Sequence, residues 1–307
     1  YEIGSGLVGS EMCIRDSTSS AMIRTLISCL IVLCATAAAP AKDNQAIIPF
    51  QEGSIRLTFL NDNAVRVEYA KEFSDTLPEW IYVNESPRIG KLNKTELQNG
   101  ITRISAGKIK ADIDRNKRAV TITDAQGRPV FTTRDITLYS TDNPDGTRDT
   151  GAQLSWDNSA DEHLYGLGQL QNGQMMQRDI TKHLVQGNVE DVSPFFQSTK
   201  GYGVFWDNYS GTTYTDNEQE TSFRSEIGDC IDYYFMYGGS ADGVIAEVRA
   251  LTGDVPMMPL WSYGFMQSKE RYKSQEETVG VVKKYRELGI PLDCIIQDWQ
   301  YWGHNYL

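Results

Sequence analysis

From residue 47 to about 237, apolar and polar residues alternate with a period of two, and turn-forming residues break the pattern every few positions. That pattern leaves little choice but half-buried β-strands, because alternate side chains share one face only in an extended chain. Ile55-Arg56-Leu57-Thr58-Phe59 and Val65-Arg66-Val67-Glu68-Tyr69 alternate around an Asn61-Asp62-Asn63 turn. The same reading predicts strands at 101–105, 108–113, 119–123, 130–133 and 136–139. Asn116-Lys117 and Gln126-Gly127-Arg128-Pro129 are turns between them. Further strands are expected at 202–206, 212–215 and 231–237. Many short strands with regular turns imply two packed sheets, a β-sandwich domain over 42–239. No internal repeat or low-complexity tract interrupts it.

The period changes near Ser240. Val244, Ile245, Val248 and Leu251 fall on one helical face, Ser240 or Asp242 can cap its start, and Gly253 can end it. Two prolines in Asp254-Val255-Pro256-Met257-Met258-Pro259 discourage further helix, so 240–259 reads as a connecting helix and linker. Beyond it lies one βαβ unit, 260–307. Residues 260–267 form its expected first strand. Ser274 and Glu277 form a capping box, and Val279, Val282, Tyr285 and Leu288 make a helical stripe ending at Gly289. Cys294-Ile295-Ile296 is continuously apolar, as in a parallel strand covered on both faces. One such unit fits either an open doubly wound sheet or a barrel, and the strand edges it leaves unpaired predict poor solubility.

The N-terminus reads as a processing segment. Met22-Ile23-Arg24 gives a start and a positive charge, residues 26–33 form a short apolar stretch, and Ala35-Thr36-Ala37-Ala38-Ala39 offers a cleavage site. Residues 22–41 are therefore expected to be a signal peptide and 1–21 a non-native leader. The apolar stretch falls short of the about 20 residues that span a bilayer, so the expected location is periplasmic or secreted. With 40% hydrophobic and 23% charged residues the chain is of globular type. A net charge of −12 argues against nucleic-acid binding, which needs a basic face. Past residue 41 only Cys230 and Cys294 remain, expected as two buried thiols rather than a disulfide framework. No Cys/His grouping has metal-site spacing.

In parallel α/β folds, functional groups gather at the carboxyl ends of strands. Two segments hold that position: Gln267-Ser268-Lys269-Glu270-Arg271-Tyr272, and Gln297-Asp298-Trp299-Gln300-Tyr301-Trp302-Gly303-His304. An acid flanked by rings suits a sugar, since a carboxylate accepts hydrogen bonds from vicinal hydroxyls while aromatic faces cover the apolar side of the ring. Asp298 is the foremost candidate on position. Trp299 and Trp302 suit sugar stacking and packing at the barrel mouth equally well. No glycine-rich phosphate loop follows the first strand, which disfavours a nucleotide-binding domain. His163 and His183 read as turn or sandwich residues, and His304 as a surface residue.

Those segments, with Pro259-Leu260-Trp261-Ser262-Tyr263-Gly264-Phe265, resemble the opening of the catalytic barrel in glycoside hydrolase family 31, closest to its α-xylosidase members. Upstream, Leu164-Tyr165-Gly166-Leu167-Gly168-Gln169, Gln177-Arg178-Asp179 and Gly201-Tyr202-Gly203-Val204 resemble that family's N-terminal β-sandwich. The resemblance implies a galactose-mutarotase-like β-sandwich followed by the first βαβ unit of a truncated (β/α)8 TIM barrel. It implies that Asp298 binds the nonreducing-end sugar in the innermost subsite and that Glu270 falls near a position shaping the same pocket; Trp299, Trp302 and Arg271, beside them, are candidate substrate-binding residues. It places Asp179 on a sandwich loop over the rim; the plainer alternative is a loop acid paired with Arg178. The implied reaction is retaining, exo-acting hydrolysis of terminal α-xylosyl residues from xyloglucan-type oligosaccharides, without metal or organic cofactor. An α-glucosidase of the same family and a noncatalytic carbohydrate-binding sandwich are the rivals. Retention requires two carboxyl groups roughly 5–5.5 Å apart. The family's nucleophile and acid/base motifs do not occur in residues 1–307, and the resemblance implies that both carboxylates lie beyond Leu307. These residues alone are therefore expected to hydrolyse nothing.

Overall fold

A computed structural model describes residues 43–74, 79–83 and 89–300. The expected leader and signal peptide lie outside the described residues, as do Trp302, His304 and Leu307. The expectation that the nucleophile and acid/base follow Leu307 falls outside what the structure describes. In chain order the first strands are β1 (Gln45–Phe50), β2 (Gly53–Phe59), β3 (Ala64–Ala70), β4 (Asn93–Glu96), β5 (Ile101–Ala106), β6 (Ile109–Asp114), β7 (Ala119–Thr123) and β8 (Pro129–Asp142). There follow β9 (Arg148–Trp156), β10 (Leu164–Gln169), β11 (Ile180–Leu184), β12 (Asp191–Ser198), β13 (Tyr202–Trp206), β14 (Thr212–Asp216), β15 (Thr221–Ser225) and β16 (Cys230–Tyr237). They make two antiparallel sheets, ordered β1-β2-β3-β16-β13-β12-β10 and β11-β14-β15-β9-β8-β7-β6-β5-β4.

The alternation becomes burial. In β2, β5 and β6 every second side chain is buried, and the apolar ones among them join one core between the sheets. Its centre is aromatic: Trp156 stacks on Phe196 at 5.1 Å, and Phe223 meets Trp156, Phe196, Trp206 and Tyr214 at 5.5–6.0 Å. β3 and β16 break the alternation because both their faces are covered. On their outer side Leu60, Ala64, Tyr234 and Met236 pack with Leu251, Ile81 and Tyr82.

Leu251 belongs to α1 (Ala241–Thr252), where Ser240 Oγ caps the Gly243 N–H and Gly253, at φ +83°, ends the helix. Val244 and Leu251 are buried as expected, whereas Ile245 is turned toward solvent. Two other expectations are corrected. Residues 130–133 and 136–139 belong to one strand, β8, whose register shifts between Thr133 and Asp135; this bulge interrupts the period of two and imitates a turn. The strand expected at 260–267 begins only at β17 (Met266–Lys269). Residues Leu260–Tyr263 close a 3₁₀ turn after Pro259, with Ser262 Oγ on the Pro259 carbonyl. α2 (Gln275–Glu287) and β18 (Cys294–Gln297) complete the unit, and β17 and β18 pair in parallel from Met266↔Cys294 to Lys269↔Gln297. Among the described residues no helix is long and apolar enough to cross a membrane.

The cysteines differ from expectation as well. Cys230 and Cys294 are free but half-buried, because each sits at the start of a strand rather than within the core. Burial, helped by Asp232, pushes the Cys230 thiol up to about 12, so it stays protonated at neutral pH. The aromatic layer gives a direct test of the core: Phe223→Ala is expected to lower unfolding free energy by about 3–5 kcal/mol, measured by denaturant titration.

Candidate functional site

β17 and β18 deliver their carboxyl ends side by side, and the chain after each strand is tied to the other. Gln297 Oε1 accepts the Tyr272 N–H at 2.8 Å while its Nε2 donates to the Tyr272 carbonyl at 2.8 Å. The Gln300 N–H closes a third bond, on the Glu270 carbonyl at 3.0 Å. A side-chain amide that matches a backbone amide in this way works like one extra rung of sheet, joining two loops that have no ladder of their own. Tyr272 is buried beneath the clasp, with Lys269 Nζ over its ring at 5.7 Å.

The helix behind the loops is set by its cap. Ser274 Oγ accepts the Glu277 N–H at 3.2 Å. Glu277 does not return to Ser274, as a strict capping box would have it; its Oε2 accepts the Lys273 N–H at 2.6 Å. That N–H holds the Glu277 carboxyl below the usual carboxylate range. Tyr285, on the inner stripe of α2, donates to Gln267 Oε1 at 2.6 Å and fixes the helix against β17. A side chain at Gly264 would strike Asp293, its Cβ only 2.1 Å from Oδ2, so glycine is what lets the chain enter β17 beside the approach to β18.

Asp298 follows directly on β18. It is exposed, and its Oδ1 accepts the Trp299 N–H at 2.7 Å, which fixes that oxygen. Trp299 is 42% exposed beside it. Glu270 and Arg271 are exposed on the facing loop. The fold thus gathers Asp298, Trp299, Glu270 and Arg271 at one end of the parallel pair. It also divides them. A cleft of about 590 Å³ opens against the start of α2, lined by Arg271, Tyr272, Lys273, Ser274, Gln297 and Gln300 among others, and Asp298, Trp299 and Glu270 take no part in its wall.

Asp179 sits apart, on the sandwich, immediately before β11. Its pairing with Arg178 is corrected: the Arg178 guanidinium turns inward to Asp216, Nε to Oδ1 at 2.7 Å, because Asp216 is buried and Asp179 is not. The Asp179 N–H donates to the same oxygen at 2.9 Å. Among the described residues no hydrogen bond or ion pair carries Asp179 to β17 or β18. His163 and His183 belong to the sandwich, with His183 Nδ1 3.2 Å from Thr213 Oγ1. Sequence reasoning missed Gln297 and Asp216. Gln297 reads locally as a strand end, and Asp216 as the first residue of an Asp-Asn turn.

An antiparallel sandwich that feeds, through one helix and a proline linker, into paired parallel strands with their loops clasped at the carboxyl end is a sandwich-plus-α/β protein. The family model described as the glycosyl hydrolase 31 N-terminal galactose mutarotase-like domain matches residues 54–214, and that described as the glycosyl hydrolases family 31 TIM-barrel domain matches residues 255–306. The chain belongs to glycosyl hydrolase family 31. An alpha-xylosidase of Saccharolobus solfataricus is 34% identical over 269 residues, covering 81% of this chain and 35% of that protein. An uncharacterized family 31 glucosidase of Pseudescherichia vulneris is 29% identical over 144 residues, 47% of this chain and 27% of that protein. Among solved structures, a family 31 alpha-xylosidase from a soil metagenome, complexed with xylose, superposes with a TM-score of 0.75 at 20% identity, over 86% of this chain and 41% of that one. That likeness is one of fold. The chain spans about a third of the first and about a quarter of the second of these curated relatives' lengths.

The clasp yields a local prediction. Gln297→Leu leaves the Tyr272 N–H and carbonyl without partners and is expected to cost about 1–3 kcal/mol. Amide hydrogen exchange should accelerate at Tyr272 while β3 and β16 stay protected; unchanged exchange at Tyr272 would contradict the role.

Proposed function

We propose that these residues are the front part of an exported, retaining, exo-acting α-glycosidase that releases terminal α-xylosyl residues from xyloglucan-type oligosaccharides. The observation that carries this reading is Asp298, exposed at the carboxyl end of the second parallel strand with one oxygen fixed by the Trp299 N–H and the indole beside it. A carboxylate so held can accept two vicinal hydroxyls of a terminal sugar, and a neighbouring ring can cover the sugar's apolar face. Asp298 is given a binding role. The nucleophile and the general acid of a retaining mechanism are two other carboxyl groups roughly 5–5.5 Å apart. Glu270 and Arg271, tied to the Asp298 loop through the Glu270 carbonyl, shape its surroundings. The S. solfataricus relative's name supports xylose as the sugar released.

An α-glucosidase is the second reading, and the P. vulneris relative's name favours it. The two sugars differ by one hydroxymethyl group, and an apolar pocket distinguishes even one methylene by about 1–3 kcal/mol, roughly 10–200-fold. The deciding experiment compares kcat/KM of the full-length protein on aryl α-xyloside and aryl α-glucoside. At least tenfold preference for the xyloside is expected; the reverse preference would replace xylosidase by glucosidase.

A further inference from the structure

The ladder between β17 and β18 ends at the rung Lys269↔Gln297. Past that rung two ties join the departing chains. The Gln297 side chain meets the N–H and the carbonyl of Tyr272, each at 2.8 Å, and the Gln300 N–H meets the Glu270 carbonyl at 3.0 Å. The ties enclose very little. Only Asp298 and Trp299 lie between Gln297 and Gln300, and only Arg271 lies between Glu270 and Tyr272. Tyr272, Gln297 and Gln300 stand in the wall of the cleft at the start of α2, whereas Asp298 and Trp299 take no part in it. The two residues read as meeting a sugar thus form a two-residue span anchored at both ends.

Among the described residues no ion pair reaches the Asp298 carboxylate, and its one hydrogen bond, from the Trp299 N–H at 2.7 Å, lies inside the span. Carboxylate and donor therefore move together, and the anchors set their direction. A longer ladder would also join the loops, but it would draw the Asp298 and Trp299 backbones into pairing and send their side chains to opposite faces. A side-chain clasp ends the ladder and still fixes where the span begins. A neutral amide suits this task. It offers an acceptor to the Tyr272 N–H and a donor to the carbonyl, where leucine offers neither and an ionised glutamate offers acceptors alone.

We propose that Gln297 is a positioning residue that holds the Asp298 carboxylate in place for the terminal sugar; this rests on the binding role given to Asp298 above. A carboxylate whose span is fixed beforehand loses little freedom when two hydroxyls reach it, and a span released at one end gives up that advantage.

The test uses the full-length protein with 4-nitrophenyl α-xyloside as substrate and xylose as competing ligand, so that the inhibition constant reads occupation of the terminal-sugar site apart from the chemistry. Gln297→Leu is expected to weaken xylose inhibition about tenfold. Gln297→Glu should do the same near neutral pH, where its ionised side chain faces the Tyr272 carbonyl. Protonation gives that side chain an O–H donor to the carbonyl, so the clasp should raise its pKa above the ordinary carboxylate range. Nearby Asp298, Glu270 and Glu277 act in the same direction, and Lys269, Arg271 and Lys273 oppose them. Relative to the unaltered protein at each pH, xylose inhibition of Gln297→Glu should recover at least about threefold between about pH 7 and about pH 5. Unchanged inhibition in Gln297→Leu overturns the proposal, and so does a Gln297→Glu deficit that ignores pH. A loss confined to kcat, with the inhibition constant intact, also overturns it, because general damage to the fold reads that way. If Gln297→Leu does not fold, Gln297→Glu carries the comparison, since its protonated form matches glutamine in shape. Weakened inhibition in Asp298→Asn beside intact inhibition in Gln297→Leu removes the positioning role alone. Unaltered inhibition in Asp298→Asn removes the binding role of Asp298 and the positioning role with it. Absence of both turnover and inhibition in the unaltered protein sinks the glycosidase reading as well.

Discussion

Trp156 lies nearly parallel to Phe196, 5.1 Å between ring centroids, and the two come from opposite sheets; Trp206 and Phe223 repeat the arrangement at 5.9 Å. These pairs help set the spacing and offset of the layers, because aromatic rings prefer offset-stacked or edge-to-face geometry at defined separations. The constraint reaches the surface through the same strands. β14 carries Tyr214 in the core and ends in Asp216, β15 carries Phe223 and begins with Thr221, and Asn158 follows the strand that ends in Trp156. The hydrogen bonds that Asp216 accepts from Arg178, Thr221 and Asn158 are therefore assembled at the ends of strands that the aromatic layer already holds.

The parallel pair is built differently. β17 and β18 are four residues each, and much of the apolar surface around them is exposed, including Trp261, Phe265, Val279 and Ile296. Order at their carboxyl ends comes from polar contacts, the Gln297 clasp and the Glu277 and Ser274 caps, which keep the loops that carry Glu270 and Asp298 in step. A site supported in this way asks for backbone hydrogen bonds rather than a core to place its side chains.

Where one face was buried and the other wet, as in β2, β5 and β6, the sequence displayed it. β3 and β7 were legible from their alternating residues although the fold covers most of both faces, and both helices from caps and stripes. β9 and β10 were not. The first opens with polar residues and a glycine, and the second spends three of its six positions on a Gly166-Leu167-Gly168 bulge with Leu167 at φ +66°. The position of Asp298 at a strand's carboxyl end was legible, because strand order dictates it locally. The partner of Arg178 was not. Its neighbour in sequence is an acid, and its partner in space lies 38 residues away on a strand whose pairing no local pattern reveals.

The account turns on the Asp298 carboxylate touching the terminal sugar. A crystal structure of the full-length protein soaked with xylose tests this most directly. The account predicts both Asp298 oxygens, or one oxygen and a bridging hydroxyl, within hydrogen-bonding distance of the xylose ring hydroxyls, with the Trp299 indole against its apolar face. Xylose bound elsewhere, with Asp298 facing solvent or paired to a basic side chain, would contradict it.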